Sequence, residues 1–234
     1  MPKPPLVQPN GVRNFRHSDY SLGSLTTVTV FHDFICPWCW VGFFQARRLT
    51  EEFGLTFEWR GAELLPPGMK LPPGPPPKPA APDAPPPKSR FDIFLEKEGV
   101  PLTSPGPKFV RSHSALLAAE YVWMEHGPEV FDRFNEAVYR GHWEKHENIG
   151  DVKVLMAMAE SAGADPVALR LSVLREQYAD HIVPFDDEAY ARGIRHVPTF
   201  IFGAEERLAE AEYPALANAA DRFLFRREKF LEVK

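Results

Sequence analysis

The stretch Phe31-His-Asp-Phe-Ile-Cys-Pro-Trp-Cys-Trp40 (FHDFICPWCW) carries both cysteines of a 234-residue chain, Cys36 and Cys39, with two residues between them. Just before it, Thr27 to Phe31 is β-branched and aromatic, which predicts a strand. Just after it, Phe43, Ala46, Leu49 and Phe53 recur at spacings of three and four, one apolar helix stripe. Arg47–Glu51 and Arg48–Glu52 fall at i,i+4 on the polar side, and Gly54 is a stop signal. Leu55, Phe57 and Trp59 then alternate as a second strand. A strand, a helix and a strand in this order imply a parallel pair with a right-handed crossover.

Cys36 is thereby placed where a strand ends and a helix begins. The backbone N–H groups of a first helical turn have no helical partners, and the helix dipole there favours negative charge. A thiolate is the species stabilised at such a place. Pro37 suits the first helical position because it has no N–H to leave unpaired. Cys39 falls one turn further on, within reach of Cys36 but more shielded. The pattern assigns Cys36 as the attacking thiolate and Cys39 as the thiol that resolves a mixed disulfide.

Working outward, Pro66 to Lys88 is mostly proline and cannot form a helix or a central strand. It reads as a surface linker of polyproline-II character, a stiff solvated spacer rather than a docking element. From Phe91 to Arg192 the pattern is helical. Leu117, Tyr121 and Met124 mark one stripe, Phe131, Phe134 and Val138 a second, and Val152, Leu155, Met156 and Ala159 a third. Asp165 and Pro166 form a cap and first position for a helix continued by Val167, Leu171 and Leu174. A last helix is expected from near Asp187 to Gly193. Val197 to Phe202 is a β-favouring run with Pro198 at its mouth, where no ladder donor is needed. A short strand near Arg207 to Ala209 and a helix over Pro214 to Phe225 close the chain. The predicted order is β-α-β, a helical block, then β-β-α.

Composition bounds the function classes. Hydrophobic residues make up 44% and charged residues 25%, ordinary for a globular core. A net charge of −5 argues against general nucleic-acid binding, and no apolar run reaches the ~20 residues of a membrane span. The polar start, Met1 to Tyr20, lacks an apolar signal core, so a reducing cytosol is the expected compartment. No bound cofactor is expected. His142 and His146 lie four apart but lack the rest of a metalloprotease or deaminase pattern, so no metal site is assigned to them.

The residues FHDFICPWCW, the following FEWRGAELLPPG and the late GIRHVPTFIFG resemble the DsbA-like oxidoreductases of the thioredoxin superfamily, and within them the FrnE-like cytosolic branch. The resemblance implies an α/β thioredoxin fold interrupted by an all-helical insertion. It divides the chain into a tail over 1–25, a thioredoxin domain over 26–65 and 195–234, a Pro-rich linker over 66–88 and a helical insertion over 89–194. It implies a cis proline at Pro198 acting beside Cys36 and Cys39, and a Val197 backbone that pairs with an extended substrate segment. Pro37, Trp38, Phe34, His196 and Thr199 complete the implied substrate surface. The expected activity is disulfide reduction or isomerisation through a Cys-Pro-Trp-Cys dithiol. Partners are protein or peptide disulfides, with glutathione or a thioredoxin system as external reductant, and neither nucleic acid nor membrane. The alternatives are a glutathione-dependent isomerase or transferase of the kappa type, and a binding module using the Pro-rich segment.

Three features depart from the family pattern. Pro-Trp between the cysteines offers no imidazolium to a thiolate, which predicts a potential less oxidising than about −120 mV. His196 stands where the family commonly has glycine. Glu210-Ala-Glu-Tyr213 replaces a usual run of small residues, which changes the expected substrate contacts on that side.

Overall fold

A computed structural model describes residues 26–70, 87–100, 107–185, 187–191, 193–204 and 206–232. The expected tail over 1–25 and most of the Pro-rich linker, 71–86, lie outside the described residues. Strand β1 (Thr27–His32) is the middle of a five-stranded sheet of order β3-β2-β1-β4-β5. Strand β2 (Thr56–Glu63) runs parallel to β1, from Thr27 opposite Thr56 to His32 opposite Gly61. Strand β4 (Thr199–Phe202) pairs antiparallel with β1, and β5 (Glu206–Ala209) antiparallel with β4. Val28, Val30 and His32 share the buried face of β1, as the period of two requires.

Helix α1 (Pro37–Phe53) leaves the end of β1 with Pro37 in its first turn and Cys36 as its cap residue. It ends at Gly54, which takes the left-handed φ of 64° and donates its N–H to Thr50 O, the glycine stop its position calls for. Seven further helices follow: α2 (Arg90–Glu98), α3 (His113–His126), α4 (Pro128–Trp143), α5 (Val152–Ala162), α6 (Pro166–Leu174), α7 (Asp187–Ala191) and α8 (Tyr213–Glu232). The block α3 to α6 lies against β2. A Cβ on Gly61 would stand 3.3 Å from Leu116 Cδ2, so α3 packs tightly over the strand at this glycine.

The structure differs from the sequence reading in four places. The helical block is not wholly helical: Val183–Pro184 forms a short strand β3, parallel to β2 at the sheet edge, where a proline is tolerated. The α6 stripe is turned round. Val167, Leu171 and Leu174 are exposed, while Leu169 and Val173, also one turn apart, point into the core. Met124 is 51% exposed although Leu117 and Tyr121 on its stripe are buried. The closing helix is longer than expected, reaching Glu232.

Candidate active site

The dithiol lies at the junction of β1 and α1. The turn is held locally, because the Cys36 N–H donates to Asp33 O (3.1 Å) and Cys36 O accepts from Trp40 N (3.1 Å). Cys36 sits in extended backbone (φ −79°, ψ 119°) as the cap residue of α1. The two residues are free thiols with 5% of Cys36 and none of Cys39 exposed. Of the two, only Cys36 keeps any accessible surface. Burial pushes the Cys39 thiol up, as do its hydrogen bond with Cys36 and the charges of Cys36 and Asp33.

The Val197–Pro198 peptide bond is cis, and the Cys36 thiol donates to Val197 O at 3.3 Å. Pro198 is buried against α1, facing Gly42. The Thr199 hydroxyl donates to His196 O at 2.6 Å, which ties the loop to itself. Thr199 and Phe34 are buried, at 2% and 0% exposure, so neither offers a side chain to a substrate. Phe34, expected on the substrate surface, belongs instead to the core. Its ring packs inward against His32 and Tyr139, centroids 4.8 and 4.9 Å away, while its carbonyl accepts from Trp143 Nε1 at 2.8 Å. Pro37 and Trp38 are half-exposed. Trp38 is partly covered by α2, with Phe91 and Phe94 rings 5.0 and 4.7 Å away and the Arg90 guanidinium 5.0 Å from its ring. His196 faces Glu210, Nδ1 to Oε1 3.5 Å, with a side chain 63% exposed. Glu210 also faces Arg90 at 3.4 Å, and its N–H donates to Pro198 O. Two of the departures from the family pattern, His196 and Glu210, thus join Arg90 in one polar rim beside the cis-proline loop.

Beneath the dithiol lies a polar layer that sequence reasoning missed. Asp33 is fully buried and accepts Leu64 N–H (2.8 Å) and Ile35 N–H (3.2 Å). Burial raises its carboxyl to about 6, an effect opposed by the two backbone donors and reinforced by the Glu63 charge. His32 Nδ1 lies 2.7 Å from Tyr139 OH. Burial lowers His32 to about 3 and raises Tyr139 well above its ordinary range, so a neutral imidazole and a neutral phenol share this hydrogen bond. One signal for this layer stood in plain view: a carboxylate and an imidazole inside an otherwise apolar run, three and four residues before Cys36.

Together the sheet and the dithiol at a helix start define a thioredoxin-fold protein. A profile of the DSBA-like thioredoxin domain matches residues 27–220. The chain belongs to that family. It is 28% identical over 179 residues to "Uncharacterized protein YwbO" of Bacillus subtilis, covering 75% of this chain and 86% of the relative. Its fold superposes on a probable DsbA oxidoreductase of Streptomyces coelicolor with a TM-score of 0.62 at 20% identity, over 84% of this chain and 89% of that one. It also superposes on the cytosolic disulfide reductase DsbM of Pseudomonas aeruginosa, solved with GSH, with a TM-score of 0.54 at 16% identity, over 88% and 99%. Among the described residues, no helix is long and apolar enough to cross a membrane.

Proposed function

We propose that the protein is a cytosolic thiol–disulfide oxidoreductase of the FrnE-like branch, working in the reducing direction. The observation that carries this reading is the pairing of a cap-position Cys36 with a fully buried Cys39 beside the Val197 carbonyl. Cys36, as thiolate, attacks a substrate disulfide. The substrate S–S bond breaks, a Cys36–substrate disulfide forms, and one substrate thiolate leaves. The Cys39 thiol then loses its proton, attacks the Cys36 sulfur, and expels the second substrate thiolate. Two electrons pass from the dithiol to the substrate, and Cys36–Cys39 is left oxidised. Glutathione or a thioredoxin system restores it. An extended peptide lies along Val197, with Trp38 and the Arg90–Glu210–His196 rim as the flanking surface.

The reducing direction is the one for which glutathione or a thioredoxin system supplies the electrons, and Pro37-Trp38 between the cysteines lacks the imidazole of a strongly oxidising pair. Equilibration against a glutathione redox buffer is expected to show a reversible Cys36–Cys39 disulfide with a potential below about −190 mV. If no reversible disulfide forms, the redox reading falls.

Asp33 takes the Cys39 proton in this scheme. Its folded pKa of about 6 lies above the unfolded carboxyl value of 3.8, so it is ionised and able to accept at pH 7 and is protonated below about pH 6. The resolution step is therefore expected to slow as pH falls through 6. Asp33→Asn should slow resolution at pH 7 by about a hundredfold and remove that inflection. Stopped-flow release from a preformed Cys36 mixed disulfide, followed against pH, reads both effects. An unchanged inflection in the variant would exclude Asp33 as acceptor.

A further inference from the structure

Next to Asp33 lies a second buried carboxylate, for which the proposed reaction has no use. Glu63, the last residue of β2, is 2% exposed, and the residue after it, Leu64, is the one whose N–H reaches Asp33 Oδ2 at 2.8 Å. Both oxygens of Glu63 face one ring nitrogen. Nδ1 of His113, the first residue of α3, lies 3.1 Å from Oε1 and 3.0 Å from Oε2. The backbone on either side is pinned. Glu63 O accepts from Phe185 N at 2.9 Å, and the Arg111 guanidinium donates to Leu65 O and Pro66 O, each at 3.1 Å. Burial raises the Glu63 carboxyl, against the His113 hydrogen bond and the charges of His113 and Arg111.

We infer that Glu63, anchored by His113, is a positioning residue whose buried negative charge sets the proton affinity of Asp33. The other groups around Asp33 do not supply that charge. From α1 it meets Cys39, which is hydrogen-bonded to Cys36, and from α4 Tyr139; burial pushes both Cys39 and Tyr139 up and keeps them neutral near pH 7. Its chain neighbour His32 is neutral as well. Two like charges in one buried layer resist ionising together, so each holds the other's proton more tightly. The consequence for catalysis rests on the proposed role of Asp33 as proton acceptor; the electrostatic link between the two carboxyls does not.

The test is a carbon-13 NMR titration of the carboxyl groups of the full, reduced chain between about pH 4 and pH 8, which needs no turnover. In the wild-type chain the Asp33 signal should depart from a single-site curve, with a second inflection at the midpoint of the Glu63 signal. In the near-isosteric Glu63→Gln that inflection should vanish, and the Asp33 midpoint should fall by about one pH unit. Resolution of the Cys36 mixed disulfide at pH 7 should then slow about threefold, because a weaker base takes the proton. A wild-type Asp33 curve without the Glu63 step would overturn the inference, even where the variant fails to fold. An unmoved Asp33 midpoint in Glu63→Gln would overturn it too. A lowered midpoint with an unchanged rate would uphold it, and would remove Asp33 from the reaction instead.

Discussion

Cys36→Ser is expected to lower disulfide reduction by about three orders of magnitude or more, to the background rate. A serine hydroxyl is not appreciably ionised at neutral pH, and nothing else at the start of α1 can attack a sulfur. Cys39 cannot substitute, because it is wholly buried and its thiol is pushed up by that burial. Cys39→Ser should fail differently. Its Cys36 still attacks, but the mixed disulfide has no internal thiol to release it, so the adduct accumulates. Incubation of Cys39→Ser with oxidised glutathione, followed by intact mass, should give one glutathione per chain, removed by dithiothreitol. Full turnover in Cys36→Ser would sink the proposed mechanism, and so would an adduct on the Cys36→Ser chain.

Gly42→Leu is expected to cut turnover by about a hundredfold while the chain still folds. Gly42 lies in α1 one turn beyond Trp38. A Cβ there would stand 2.9 Å from Pro198 Cγ, 3.2 Å from Pro198 Cβ and 3.6 Å from Phe200 Cε2. The helix that carries the dithiol and the loop that faces it touch at this bare backbone position. A leucine must drive them apart, and a displacement on the order of 1 Å is enough to cost about two orders of magnitude in a reaction that depends on alignment. Overpacking should also cost about 1–3 kcal/mol of stability. Leucine is the better probe than alanine, because the gain in helix propensity over glycine, about 1 kcal/mol, would mask a small clash. Turnover and denaturant unfolding together read the outcome. Turnover within threefold of wild type would show that the approach of α1 to Pro198 does not set the geometry of the reaction.

The sheet and the dithiol were legible because their signals are local. Thr27 to Phe31, the α1 stripe and Gly54 are decided by neighbours a few residues away, and so is the position of Cys36 at the helix start. What was not legible depends on partners far along the chain. Phe34 looks like a substrate contact until the rings of His32 and Tyr139 are seen packed against its own. His32 and Asp33 look like ordinary polar residues near a turn until Tyr139 and the N–H of Leu64 are brought to them. Val167, Leu171 and Leu174 share a helix face by spacing, yet the neighbouring face carrying Leu169 and Val173 meets the core. Periodicity says that a short helix has an apolar side. When apolar residues lie on both sides, it does not say which one the fold buries.

The hydrogen bond from Cys36 to Val197 O spans 161 residues. During translation at 5–20 residues per second, the two thiols are made roughly 8–30 s before the carbonyl that meets them. Over that interval the growing chain carries its cysteines without the strand and proline loop that later enclose them. A ribosome-bound chain halted before Val197 should then have thiols open to alkylating reagents, both of which close over once Val197 and the strand after it arrive. A thioredoxin-fold protein would thus begin life as a chain with two unguarded thiols.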